Sequence, residues 1–250
     1  MNHSSSTSGV DTYYQKILEL MARVMESQRE KLDKVAQRMV KTIQNDGRLL
    51  LFGTGHSHML VEEAFYRAGG LAPATPVFSS MVMLHENALM SSLVERTPGL
   101  AAPLLAGYEP RPGEMLFVFS NSGVNQMPVE IAQSAKEHGL FVVSISSLAY
   151  ARVAPLSTAG ARLDEVADIA LDNGGEPGDA LVPVEGTGYR IGPSSTIMGA
   201  LLWNSLVTET VYRLQRMETD PPVIISLNMP GAGEHNALVL AKWRKINKHL

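Results

Sequence analysis

Short, continuous apolar runs alternating with stretches of helical periodicity constrain this chain more than any other feature. Residues 48–53 (RLLLFG), 114–120 (EMLFVFS) and 140–146 (LFVVSIS) read as strands covered on both faces, since an uncovered face would show alternate polar residues. Residues 74–80 (ATPVFSS) and 166–172 (VADIALD) are weaker runs of the same kind. Residues 57–69, 84–97 and 125–139 between them have helical character. Such alternation builds βαβ units with right-handed crossovers. The expected fold is of the α/β class: a doubly wound three-layer αβα sandwich around a five-stranded parallel sheet in flavodoxin-like order 2-1-3-4-5.

The flanks extend this unit. Between residues 11 and 45, Ile17, Leu18, Met21, Val24 and Met25, then Leu32, Val35, Met39 and Ile43, recur at helical spacing and predict one long helix or two stacked ones, stopped by Asn45-Asp46-Gly47. Residues 98–113 and most of 146–193, rich in Pro and Gly, are expected as loops. A strong helix resumes over 194–217, followed by an extended piece at 221–228 and a last helix over 234–250. The Ser-rich residues 1–10 read as a flexible tail, and 11–250 as a single domain with N-terminal helices and a C-terminal helix.

Composition narrows the chemistry. With 250 residues, 45% of them hydrophobic, the chain can bury a sizeable core. A net charge of −4 without an extended Lys/Arg block gives no electrostatic reason to expect nucleic acid or an anionic membrane surface. No apolar run approaches the roughly 20 residues that cross a bilayer, and the start lacks a secretory signal, so a cytoplasmic location is expected. The absence of cysteine removes disulfides, thiolate nucleophiles and most structural zinc sites. Catalysis would fall to hydroxyls, carboxylates and imidazoles.

Two loops carry the pattern of an anion site. In open α/β sheets, ligands bind beyond the carboxyl ends of strands where the winding reverses. In the expected order the first and third strands flank that point, and they end in Gly53-Thr54-Gly55-His56-Ser57 and Ser120-Asn121-Ser122-Gly123. Each loop opens into a helix, whose first backbone amides lack internal acceptors and attract anions. Ser57, Ser120 and Ser122 add hydroxyl donors, and glycine lets the backbone approach closely. His58 stands where a dinucleotide fold would place its third glycine.

At these residues the chain resembles the sugar isomerase (SIS) domain family, whose members carry a Gly-x-Gly-x-Ser turn and a Ser-x-Ser-Gly-x-Thr loop. The segments GHSH, EEAFYRAGG, ERTPGLA, GPSST and GEHN resemble more particularly a subgroup of SIS proteins known by a UPF label. The resemblance implies that the phosphate of a phosphosugar is held by Ser57, Ser120 and Ser122, with Asn125 where the loop threonine usually stands; Gly55 and Asn121 in the same loops and Ser195 at a later helix start are expected to join them. It also implies aldose–ketose isomerisation through an enediol, with one base to shuttle a proton and a second group to open the ring. Glu185, eight positions before Pro193, resembles the family's glutamate base. His235 lies six residues beyond Met229, the position matching the family's histidine. His56, His85 and Glu86 are further candidates, His85 able to act in a neighbouring subunit's site. His56 and His58 with Glu62 or Glu63 have metal-donor spacing, but no second cluster supports a metal, and neither metal nor other cofactor is expected. The expected partners are a phosphorylated sugar and further copies of the chain, in a homodimer or larger.

Rival readings use the same loops: an amino-sugar phosphate lyase or etherase, a non-catalytic phosphosugar sensor and, least supported, an NAD-linked enzyme.

Overall fold

The computed structural model describes residues 8–250. Residues 1–7 of the expected tail lie outside them; Ser8 already caps a helix, its Oγ accepting from the Val10 amide at 3.2 Å. Two N-terminal helices follow, α1 (Gly9–Ser27) and α2 (Arg29–Gln44). The alternating unit then runs β1 (Leu49–Gly53), α3 (His58–Ala64), β2 (Ala74–Pro76), α4 (Ala88–Glu95), α5 (Ala101–Ala106), β3 (Met115–Phe119), α6 (Gln126–Glu137) and β4 (Phe141–Ser146). After it come α7 (Leu148–Val153), α8 (Leu163–Val166), β5 (Ile169–Asp172), β6 (Ala180–Pro183), β7 (Arg190–Pro193), α9 (Ser195–Arg216) and α10 (Ala232–Trp243).

The five parallel strands are ordered β2-β1-β3-β4-β5, and β6 and β7 form a separate antiparallel pair. Register places Leu49 beside Met115 and Gly53 beside Phe119, so β1 and β3 end level with each other. Both faces of the sheet are covered, which explains the continuous apolar runs. Leu49 and Leu51 pack with Met39, Trp203 and Leu206 from the α2/α9 layer, while Leu50 and Phe52 pack with Leu105, Met127 and Ile131 from the α5/α6 layer. Trp203 anchors the first layer, its ring 5.1 Å from Phe117 and nearly perpendicular to it.

A buried ion pair closes the opposite end of the sheet. Arg48 and Glu114 are nearly inaccessible, with Arg48 Nε donating to Glu114 Oε1 at 2.7 Å and Nη2 donating to Oε2 at 2.8 Å. Its remaining N–H groups donate to the carbonyls of Tyr108, Glu109 and Ile246, fastening the chain after α10 to the sheet. Burial pushes the Glu114 carboxyl up, but the Arg48 and Arg111 contacts outweigh it and the net pKa is lowered.

Three segments expected as loops or extended chain differ. Residues 98–113 contain α5, with Pro103 in its first turn, where the missing N–H has no helical acceptor to lose. Residues 146–193 contain α7, α8 and the β6–β7 pair. Residues 221–228 form no strand, only a bridge between Val223 and Leu71. The helix after β1 is also short: a 3-10 turn over Gly55–Ser57 leads into the seven residues of α3.

Candidate functional site

The carboxyl ends of β1 and β3 open into one cavity of about 500 Å³, a size ordinary for a small-molecule site. Gly55, His56 and Ser57 form one wall, and Ser120, Asn121, Ser122 and Asn125 another. The start of α9 contributes Ser195 and Thr196, and α4 contributes Ser91, Ser92 and Glu95. A wider hollow of about 790 Å³ lies between α2 and α9, lined by none of these loop residues.

Local sequence explains why both turns take this shape. A Cβ on Gly53 would lie 2.5 Å from the Ser57 carbonyl oxygen, so the chain can fold back over the end of β1 only at glycine. Gly123 has φ of +62°, a left-handed conformation that lets the 120–125 loop curl before α6. Leu163 N donates to Gly123 O at 2.8 Å and holds that curl. As a result, the backbone amides of residues 121–126 find no acceptor among the described residues. The hydroxyls of Ser57, Ser120 and Ser122 are likewise unpartnered within the described residues, although Ser120 is 5% exposed.

The N-terminus of α9 is arranged differently. Asp179, in the left-handed region at φ +67°, turns its carboxylate onto that helix end. Oδ1 accepts from the amides of Ser194 and Ser195 at 3.1 and 2.9 Å, and Oδ2 accepts from Ser195 Oγ at 2.6 Å. The donors of Ser195 are thus taken by a carboxylate of the chain itself.

The expected catalytic residues separate. His56 lines the cavity, but Glu185, His235, His85 and Glu86 do not. Glu185 lies exposed in the turn joining β6 and β7. His235 is exposed on α10, its Nε2 2.9 Å from the Val223 carbonyl oxygen, and the neighbouring Asn236 clamps the Ile225 amide and carbonyl. His85 and Glu86 are exposed ahead of α4. His58 is buried, with Nδ1 3.3 Å from the Gly53 carbonyl oxygen and its ring 5.0 Å from Phe78. Burial lowers its pKa, only partly opposed by the Gly53 carbonyl and Glu62. Among the described residues no three His, Asp or Glu side chains converge as a metal site would require.

Two carboxylates line the cavity: Asp179, already bound to the start of α9, and Glu95, at the end of α4. Glu95 is 16% exposed, and its Oε1 accepts from Thr54 Oγ1 at 2.5 Å. Its Oε2 lies 3.8 Å from Arg96 Nη1, beyond hydrogen-bond distance. A signal for it exists in the sequence: Ser91, Ser92 and Glu95 make a polar stripe at i, i+1 and i+4 on an otherwise apolar helix.

Comparison with known proteins agrees with this fold. Residues 12–147 match the SIS domain family. The chain is 38% identical to a UPF0309 protein of Geobacillus kaustophilus, over 94% of each chain. It is 36% identical to a UPF0309 protein of Brucella canis, over 98% of this chain and 100% of that one. Among solved structures, a phosphoheptose isomerase from Francisella tularensis has the same fold, with a TM-score of 0.54 at 14% identity, over 80% of this chain and 95% of that one. The Vibrio vulnificus NanR protein complexed with ManNAc-6P gives a TM-score of 0.50 at 14% identity, over 86% of this chain and 66% of that one. With its sheet order, its two level turns and the span of these matches, the chain belongs to the SIS domain family.

Proposed function

We propose that the cavity binds a phosphorylated sugar and interconverts its aldose and ketose forms. The observation that carries the binding is the turn of residues 121–126, whose amides have no acceptor among the described residues and of which Asn121, Ser122 and Asn125 line the cavity, joined by the hydroxyls of Ser57, Ser120 and Ser122. Several donors converging at the start of the 12-residue α6 suit a dianionic ester, because the helix dipole adds partial positive charge there. Two solved SIS-fold structures support the ligand class: one is a phosphoheptose isomerase and the other is complexed with ManNAc-6P. Asn125 and Gly55 complete the cradle, and Ser195 stays on Asp179.

Glu95 is the base in this reading. It is the cavity carboxylate not already committed to capping a helix, and Thr54 orients it through one oxygen while the other stays available for a C–H proton. His56 then serves ring opening and the sugar oxygens. Glu185 and His235, which do not line the cavity, take no part in this reading. Assembly as a homodimer or larger belongs to this reading, and α4 leaves Leu89 and Leu93 85% and 63% exposed beside the cavity.

The test is incubation with pentose, hexose, heptose and amino-sugar phosphates in deuterated water, following C–H exchange and product by NMR. Exchange with aldose–ketose product is expected, and Glu95→Gln should lower it by about 10²–10⁴-fold. Binding without exchange for every sugar would replace the isomerase with a sensor, and exchange with loss of a substituent would replace it with a lyase.

A further inference from the structure

Four residues that wall the phosphate cradle also wall a second cavity. Arg96, Ser122, Asn125 and Tyr150 are shared with a chamber of about 480 Å³ whose far side is the loop of residues 154–158, between α7 and α8. The first cavity alone is large enough for a simple sugar phosphate, and the two together approach the upper end of small-molecule sites. A ligand confined to the cradle would leave the chamber unused.

The chamber is built on the cradle's own residues. Gln126, the first residue of α6 and 3% exposed, accepts through Oε1 from Thr158 Oγ1 at 2.8 Å and from the Ala159 amide at 2.9 Å. The Leu163 amide reaches back to the Gly123 carbonyl, and Arg162 Nε donates to the Ala151 carbonyl at 2.8 Å. The loop is thereby fixed to the start of α6, and the chain after it to α7 and to the Gly123 turn, so the chamber keeps its position relative to the phosphate donors.

Its charge is one-sided. Arg96 is the single charged side chain on the chamber lining; the carboxylate of Glu95, 3.8 Å from Nη1, stands on the side of the first cavity. Arg96 is held through one nitrogen, Nη1, which donates to the Ser92 carbonyl at 2.8 Å and to Ser92 Oγ. Nε and Nη2 have no acceptor among the described residues. Those two N–H groups form the edge of a guanidinium that receives a carboxylate side-on through two parallel bonds.

We propose that the phosphosugar bound here carries an arm ending in a carboxylate, which enters the chamber between α7 and α8 and pairs with Arg96. This rests on the phosphate reading of the cradle and adds the class of sugar. Val124, Ala154, Pro155 and Leu156 give the lining an apolar stretch beside Gln126, Ser157 and Thr158, and that stretch suits the short carbon chain of an acyl or ether link.

The test is calorimetric titration with hexosamine 6-phosphates whose nitrogen is free, acetylated or succinylated, together with the 3-O-carboxymethyl ether of the acetylated compound. At least one carboxylate-bearing probe should bind about tenfold or more tightly than the acetylated one. Arg96→Met should erase that difference, and Leu156→Trp, which fills the chamber, should exclude the armed probes while sparing the free hexosamine phosphate. Equal affinity of armed and acetylated probes, or an advantage that survives Arg96→Met, overturns the inference while leaving the phosphate cradle intact. Preference for the acetylated probe in both proteins assigns the chamber to a neutral arm and also overturns it. If the free hexosamine phosphate and inorganic phosphate fail to bind along with the armed probes, the phosphate reading itself falls.

Discussion

Replacing Ser120 and Ser122 together by alanine separates a ligand cradle from a helix cap. Neither hydroxyl is used by the protein among the described residues, so the double variant breaks no protein hydrogen bond. Its cost to folding should stay within about 0.5 kcal/mol, the range of substitutions that disturb no packing or network. For a chain of this length that is a shift of about 1–2 °C in Tm. The ligand loses much more. Each hydroxyl bonded to a charged phosphate contributes about 1.5–3 kcal/mol. The amides of residues 121–126 remain and take up part of the loss, so a combined penalty of about 3 kcal/mol is expected, near 100-fold in Kd. Isothermal titration with a sugar phosphate gives the affinity, and a thermal melt of ligand-free protein gives the stability. A Kd within twofold of the parent refutes the phosphate assignment. Weak binding accompanied by a Tm drop of many degrees refutes the claim that these hydroxyls are spare.

Three further perturbations test other parts of the site and scaffold. Asp179→Ala removes the carboxylate from the start of α9 and should cost about 1–2 kcal/mol in chemical denaturation; it should also tighten phosphate binding, since a negative charge leaves the cavity. Acid should weaken the fold in two stages. The folded pKa of His58 and of His249 is lowered from 6.5, mainly by burial, so the unfolded chain takes up their protons first and stability falls as pH drops below about 6.5. The lowered folded pKa of Glu114 adds a second loss below its ordinary 4.5, as pH falls toward the folded value. Urea melts from pH 8 to 3 should show both steps, and a flat profile between 7.5 and 5 would contradict the lowered pKa of the two histidines. Glu114→Gln strands the Arg48 charge and should destabilise by about 3–5 kcal/mol, read from the same melts at pH 7.5.

What the sequence disclosed follows from where burial is total. β1 and β3 are inaccessible at every position, so their residues had to be apolar without alternation, and the level ends of the two strands followed once the order was assumed. The β6–β7 pair was illegible because it is exposed: Gly186, Gly188 and Gly192 interrupt it, and little of either strand is buried. α5 was hidden by Pro98, Gly99 and Pro103, all of which signal a loop when read locally. Glu185 was attractive for its offset from Pro193, but Pro193 pairs with Ala180, so Glu185 lies at the tip five residues farther on. At about 3.3 Å per residue, that tip is roughly 15 Å from the end that meets the cavity. Glu95 opens the ERTPGLA segment and ends a polar stripe on α4, but neither marks it as a base; α4 must first lie across the end of β1 before its last turn faces the cavity.

The two helix ends at the cavity rim divide the work between them, and the division explains why the dianion belongs with α6. Both α6 and α9 begin beside the cavity with serine-rich turns, so sequence alone makes them equivalent anion sites. At α9 the hydrogen bonds from Ser194 and Ser195 already end on Asp179, and a phosphate there would have to displace a tethered carboxylate. At α6 Asn125 supplies no side-chain cap, Gly123 curls the loop before it, and the amides of residues 121–126 have no acceptor among the described residues. A helix end left uncapped by its own chain is less stable by about 1 kcal/mol. That cost is recovered only when an external anion completes it, so ligand should raise Tm more in the parent than in a variant carrying Asn125→Asp, whose carboxylate would cap α6 from within.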